Sequence, residues 1–244
     1  MPTEIGAVSA LVRYPVKSMR GESLEDVALG WHGVAGDRRL ALRRLDDRGG
    51  FPWLTASRLP ELLRYAPVRD ARDDGEALPT HIITPDGDRF ALFDPALCDV
   101  VGRRAGIAVE MTHLDRGIFD DAPMSIISAA TAQALCEAAG LPADPRRFRP
   151  NVVLDLAGAT AFAEDRFVGQ VLTFGDAHDA PAVFVTHRDV RCAMVNHDPD
   201  TAEAAPQLLK GLVQSHGTCA GIYGTVVRPG RVRVGAAVYA SPAT

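Results

Sequence analysis

The sequence predicts a mainly β protein with a few helices, α+β in class, in which an N-terminal β-barrel-like domain packs on a second β-barrel domain. Three observations lead there. Short β-branched segments bounded by Gly, Pro or Asp recur along the chain, few segments carry a helical apolar spacing, and no repeat or low-complexity linker separates the halves. With 47% hydrophobic residues among 244, there is enough apolar surface for a packed core.

The first hundred residues read as strands with turn punctuation. "GAVSALVRYPV", "DRRLALRRLD" and "HIITPDGDRFALF" are the strand candidates, and Asp86-Gly87 in the last is a two-residue hairpin signal. "SRLPELLRYAPVRDARDDGEALP" opens with helical spacing and becomes a charged loop, expected at the surface. A break near Gly106 divides the chain into residues 1–105 and 106–244. Beyond it, "SIISAATAQALCEAAG" reads as a helix with Ser128 as N-cap and Gly140 as the terminal glycine. "NVVLDL", "VLTFG", "AVFVTH", "CAGIYGTVV" and "RVRVG" read as strands, and "PQLLKGLVQSH" as a helix with Pro206 in its first turn. Trp31 and Trp53 are expected in the barrel core.

A net charge of -5 argues against generic nucleic-acid binding, which needs a strongly basic surface. The opening "MPTEIGAVSALVRYPVKSMR" is broken by charge and proline, so neither a signal peptide nor a membrane span is expected. Cys98, Cys136, Cys192 and Cys219 lie far apart with no CxxC pair. Neither a zinc site nor a disulfide framework is implied, and a cytoplasmic location is the expectation.

Four short segments stand out. In "RDVRCAMVNHDPDT", Cys192 adjoins Arg191, with Arg188 nearby, so its thiolate would be stabilised for attack or for metal ligation; a small buried hydrophobe is the plainer reading. "YPVKSMRG" presents Lys17, Ser18 and Arg20 at a strand end, a group able to hold phosphate or merely to be solvated. "GVAGDRRLAL" offers Arg38 after a turn, and "RRFRPNVVLDL" brackets a proline with Arg149 and Asn151. Arg149 lies at the entrance to an apolar strand and needs an anionic partner or a route to solvent. Gathered together, these groups would make one anion pocket with a thiol beside it, suited to a phosphate-bearing cofactor with a sulfur-liganded metal.

In their order, "YPVKSMRGESLEDVALGWHGVAGDRRLAL", "FDDAPMSIIS", "RRFRPNVVLD", "FAEDRFVGQVLTFG", "RCAMVNHDPDT" and "GIYGTVVRPGRVRVG" resemble the MOSC family, named for the molybdenum cofactor sulfurase C-terminal domain, preceded by its N-terminal β-barrel partner. The match spans nearly the whole chain and is specific at YPVKS, FRPN and the RC…DPDT segment. The most similar branch is the mitochondrial amidoxime-reducing component and its bacterial relatives, molybdoenzymes that reduce N-hydroxylated compounds.

The resemblance implies a molybdenum cofactor, Mo-molybdopterin, with Cys192 as the metal ligand and catalytic centre. The expected cofactor-binding residues are Lys17, Ser18, Arg38, Arg149 and Asn151, with Arg191, next to the ligand, as a sixth, and the chemistry is expected to be independent of pyridoxal phosphate. Asp120, or Asp121 one register on, matches the family's acidic position; Asp120 and His187 are candidates for proton delivery. A small-molecule substrate and a separate electron-transfer protein, ferredoxin- or flavoprotein-like, are the expected partners, with no nucleic acid and no membrane. Two departures accompany the match. Asp189 stands where the branch often has a second cysteine, and "GAAVYASPAT" brings no four-cysteine set for an iron–sulfur cluster.

The alternatives are a sulfur carrier bearing a persulfide on Cys192, or a metal-free enzyme using the same pocket. "AEDRF" reads as a turn positioning a strand, with Glu164 fitting the family pattern. His197 is expected to hydrogen-bond Asp198 or Asp200, and Cys98, Cys136 and Cys219 to be inert packing residues.

Overall fold

The computed structural model describes residues 2–70, 78–158, 160–176 and 178–243. In the first half lie β1 (Thr3–Arg13), β2 (Glu22–Leu24), β3 (Asp26–Gly30), β4 (Gly33–Val34), β5 (Leu40–Arg44), β6 (Ala66–Val68), β7 (His81–Ile83), β8 (Arg89–Ala91) and α1 (Pro95–Ala105). There follow β9 (Val109–His113), β10 (Met124–Ser128), α2 (Ala129–Ala138), β11 (Val152–Leu156), β12 (Gln170–Phe174), β13 (Ala182–Val190), α3 (Gln207–His216), β14 (Cys219–Arg228), β15 (Gly230–Arg233) and β16 (Ala237–Pro242). The protein is mainly β, as its sequence predicts.

Seven strands close a barrel in the order β11-β10-β14-β13-β12-β16-β1, with β11 pairing back to β1 and β2 appended beyond β1. Only β10 and β11 run parallel, joined through α2 as a parallel pair requires. β1 is long enough to serve both neighbours: it pairs with β11 along Gly6 to Leu11 and with β16 along Thr3 to Ala7. Gly6 lies at an irregularity there, where a Cβ would come 2.0 Å from the Asp155 carbonyl oxygen. Only glycine permits that approach.

β1 belongs to this barrel and β3 pairs with β15, so strands from the two halves of the chain pair with one another. The small sheets β5-β9 and β6-β7-β8 enclose a second core with α1, in which Leu40, Leu62, Ile82 and Leu97 are wholly buried. A third core lies between the barrel's outer face and α2 and α3, around Ile127, Cys136 and Leu212.

Several local expectations are corrected. α1 was not foreseen, although Asp94 caps it through a bond from the Ala96 N–H, Pro95 opens it and Gly106 closes it in the left-handed region. The β7–β8 turn is not a two-residue loop: Gly87 N–H donates to the Thr84 carbonyl, and Thr84 N–H to that of Asp88, leaving Pro85-Asp86-Gly87 between. Met124–Ser128 is strand, so the helix starts only after Ser128, whose hydroxyl accepts from Thr131 N–H. In the segment from Ser57, Pro60–Arg64 is a 3-10 turn followed by β6, and residues 71–77 of the expected surface loop lie outside the described residues. Trp31 is not core. It occupies the tip between β3 and β4 and is 65% exposed, because the Gly30–Gly33 pair leaves no interior side at that turn. Trp53 is half-buried and bridges to Arg43 outside the barrel.

Candidate functional site

The site forms where the end of β1 meets the approach to β5. Tyr14 N–H donates to Asp37 Oδ1 at 2.7 Å, Arg38 N–H to the Tyr14 carbonyl at 2.7 Å, and Lys17 N–H to the Leu40 carbonyl at 2.7 Å. These bonds hold Lys17, Ser18 and Arg38 side by side. From the barrel, the turn before β11 supplies Arg149, and β13 continues to Val190 before delivering Arg191 and Cys192.

Lys17, Ser18, Arg38, Asp120, Arg149, Arg191 and Cys192 all line one cavity of about 220 Å³. Asn151 does not. It is buried behind Arg38, its Oδ1 accepting from Ser125 N–H at 3.2 Å and Arg38 Nη1 at 3.4 Å while its Nδ2 donates to the Val12 carbonyl. It ties β1, β10 and Arg38 together where the barrel closes.

Ser18, Arg38 and Arg149 are all non-glycine residues with positive φ, at 65°, 48° and 50°. Such backbone costs roughly 1–3 kcal/mol per residue and persists only where the surroundings hold it, often around ligands. Arg149 also precedes Pro150, which restricts its backbone further.

The cavity is cationic. Besides Lys17, Arg38, Arg149 and Arg191, Arg147 lines it, against two carboxylates, Asp120 and Asp189. Lys17 is 4% exposed and donates to Asp120 Oδ1 at 2.7 Å; burial pushes its pKa down despite that partner. Burial also works against the charge on Arg38, but Asp37, bonded to it at 2.5 Å, holds the guanidinium firmly protonated. Arg149 has no such partner among the described residues. Burial first, and the neighbouring Arg38 charge second, push it down to about 10.

Arg191 is fixed by four groups. Its Nε donates to the Ala220 carbonyl at 2.7 Å, its Nη1 to the Phe148 carbonyl at 2.6 Å, and its Nη2 pairs with Asp189 at 2.8 Å and reaches Ser125 Oγ at 3.5 Å. Asp189 is fully buried and also accepts from Ser125 Oγ at 2.7 Å, yet burial raises its pKa in spite of Arg191. The position three residues before Cys192 thus holds a buried anchor for the adjacent arginine.

Cys192 is exposed, and it starts the 3-10 turn Ala193–Asn196 by accepting from Val195 N–H. Cys136 and Cys219 are buried and Cys98 is intermediate. The plain reading of Cys192 as a buried hydrophobe is therefore excluded. The loop after it is clamped: Arg147 pairs with Asp198 at 2.7 Å, and Arg146 with Asp200 at 2.7 Å. His187 lies outside the cavity, 2.8 Å from Asp121, whereas Asp120 lines it. His197 bonds the Ala202 carbonyl at 3.3 Å, in place of the expected aspartates. Glu164 is completely buried and accepts from Ser128 N–H, Ser128 Oγ and Thr131 Oγ1, joining its 3-10 turn to the start of α2.

Sequence reasoning missed Tyr14, Arg147, Asp189 and Tyr223. Tyr223 lines the cavity from β14, and burial, with Asp189 nearby, keeps its phenol protonated. Tyr14 lies between two guanidiniums, Arg149 at 4.1 Å and Arg38 at 4.8 Å from its ring centre. Its place in YPVKS was the available signal.

Whether these residues fit a phosphate-bearing, sulfur-liganded cofactor is answered by their unspent donors. Ser18 Oγ, Arg147 Nε and Arg149 Nη2 are buried without hydrogen-bond partners, a costly state that an anion would relieve. Among the described residues, no group of three or more His, Cys, Asp or Glu side chains is gathered as a metal site; the thiol on the cavity wall is Cys192. The residues fit such a group.

Comparison with known proteins gives two family matches: the MOSC domain over residues 113–239, and the MOSC N-terminal beta barrel domain over residues 5–87. Among solved structures, the YUAD protein from Bacillus subtilis is 15% identical, with 100% of each chain covered and a TM-score of 0.52, a likeness of fold. YiiM from Geobacillus stearothermophilus is 19% identical over 49% of this chain and 54% of its own, with a TM-score of 0.37. Curated protein sequences give no match.

Proposed function

Because the chain belongs to the MOSC family, with the N-terminal barrel domain ahead of the MOSC domain, we propose that it is a molybdenum-cofactor-binding oxidoreductase. Its substrates are N-hydroxylated or related N-oxygenated small molecules, and its electrons come from a separate ferredoxin- or flavoprotein-like protein. MOSC domains are associated with this cofactor and occur in cofactor-sulfurase-like and oxidoreductase proteins. The observation that carries the reading is an exposed thiol, Cys192, on the wall of a cationic cavity in which Ser18 Oγ, Arg147 Nε and Arg149 Nη2 are buried donors without partners.

In this reading Lys17, Ser18, Arg38 and Arg149 hold the cofactor's anionic groups, and Cys192 Sγ gives the protein's bond to molybdenum. When bound, the cofactor supplies two-electron oxygen-accepting chemistry. Asn151 acts from behind, keeping Arg38 in place, and Asp189 locks Arg191 so that the backbone carrying Cys192 stays fixed. Converting N–OH to N–H with release of water consumes two electrons and two protons. Asp120, which lines the cavity and is 59% exposed, can pass protons from solvent, while Tyr223 stays protonated as a hydrogen-bond donor. No described helix is long and apolar enough to cross a membrane.

The test is elemental analysis of protein from a host able to make the cofactor, comparing the parent with Cys192→Ala. Molybdenum near one per chain, falling in the variant, is expected, along with loss of N-hydroxy reductase activity. The exposure of Cys192 equally suits a sulfur carrier. Absence of molybdenum from both proteins, with a known molybdoenzyme loading in the same host and a sulfur adduct on Cys192 by mass, would establish that second reading instead.

A further inference from the structure

A second cavity of about 140 Å³ opens on Arg149, the guanidinium that also lines the main site. Tyr14, Arg20 and Arg146 line it, with Asp200 as its one carboxylate. Asp200 is already engaged: Arg146 donates to both of its oxygens, at 2.7 and 3.2 Å, while Arg20 stands off at 3.7 Å. Arg146 is also paired with Asp144 at 2.8 Å, so three guanidiniums face two carboxylates and Arg149 is the one left without an ion pair among the described residues.

Two buried donors on this wall are unspent. Tyr14 is 2% exposed, and neither its hydroxyl nor Arg149 Nη2 has a hydrogen-bond partner. Gly21 closes the wall by lying against the tyrosine; a Cβ there would come 2.5 Å from the Tyr14 ring. Arginines able to make paired bonds, together with a buried phenol, suit a tetrahedral oxyanion.

We propose that this second cavity is a phosphate subsite, formed by Tyr14 Oη, Arg149, Arg20 and Arg146 and separate from the space in front of Cys192. It stands on residues that the cofactor reading does not use, apart from Arg149. The phosphate belongs either to the cofactor itself or to a free phosphorylated compound, and one titration separates the two.

Inorganic phosphate is titrated calorimetrically into the full chain, made first in a host lacking cofactor synthesis and then in one that loads it. Saturable binding to the cofactor-free chain is expected, weakened about tenfold by Arg146→Gln and by Tyr14→Phe, the scale of one lost charge-assisted bond. Phosphate binding that persists in the loaded protein assigns the subsite to a separate phosphorylated ligand. Binding abolished by loading assigns it to the cofactor's own phosphate. No binding to the parent, or equal binding by the parent and both folded variants, overturns the proposal. Tyr14→Phe changes one oxygen, so it keeps the test decisive if Arg146→Gln fails to fold. Molybdenum content is read independently, so failure here is distinct from failure of the cofactor assignment.

Discussion

Lys17 and Asp120 form an ion pair with one partner sealed and the other wet: Nζ lies 2.7 Å from Oδ1, with Lys17 4% and Asp120 59% exposed. Burial opposes the charge on Asp120, but Lys17 overrides it and holds the carboxyl below its ordinary 3.8. A carboxyl depressed on folding adds stability that is complete above its unfolded pKa and is lost as pH falls through its folded pKa. The stability gap between the parent and Asp120→Asn should therefore be widest near neutrality and close in acid below about pH 4. Urea titrations at a series of pH values measure it, and a gap that widens on acidification would reverse the assignment.

Lys17 gives the opposite limb. Its lowered pKa means that the folded protein sheds this proton sooner on the alkaline side than an ordinary lysine does. Anion binding in the main cavity should weaken as pH rises through that value, and more so in Asp120→Asn, which removes the carboxylate that keeps Lys17 charged. Binding measured from pH 7 to 10 checks this.

Cys192 should be the first thiol labelled by a limiting amount of maleimide. It is exposed, whereas burial pushes the thiols of Cys98 and Cys136 up and Cys219 is enclosed. Peptide mapping that finds Cys136 labelled ahead of Cys192 would contradict the described packing.

Glu164 should be a stability residue. Replacement by alanine strands two hydroxyls and one N–H at the start of α2, and a loss of about 3 kcal/mol is expected. Glu164→Gln, which retains an acceptor, should lose less. Denaturant midpoints distinguish them.

Asp189→Ala leaves Arg191 buried without its carboxylate and should cost about 3–5 kcal/mol. The loss should shrink in Asp189→Ala combined with Arg191→Met, which removes the uncompensated charge. A double substitution no better than the single one would mean that the pair contributes through packing alone.

Much of this architecture was legible locally. Strands such as Val152–Leu156 and Ala182–Val190 announce themselves through β-branched runs, and Ser128 and Gly140 bracket a helix. α1 was overlooked because its buried face rests on little more than Leu97 and Val101, too sparse a stripe to stand out beside Asp94, Pro95 and Gly106. The cationic segments around Lys17, Arg38, Arg149 and Arg191 were visible as polar strand ends. Their convergence was not, since it depends on backbone bonds between Tyr14 and Arg38 and on Asn151 joining β1 to β10. Asp189 was hidden for a related reason: a carboxylate at a strand end reads as solvated until the arginine two residues on is seen to fold back over it.

The barrel's closure also fixes an order of assembly. β1 is made first, but its pairing with β16 needs residues more than two hundred positions later, and its pairing with β11 needs the middle of the chain. During synthesis, which proceeds from the N-terminus, β1 must wait with an open edge. Folding should accordingly be slow, governed by contacts distant in sequence. The cationic strand end carrying Lys17 and Ser18 reaches its final setting only once that wait is over, so a ligand that needs the closed barrel can be taken up only by a finished chain.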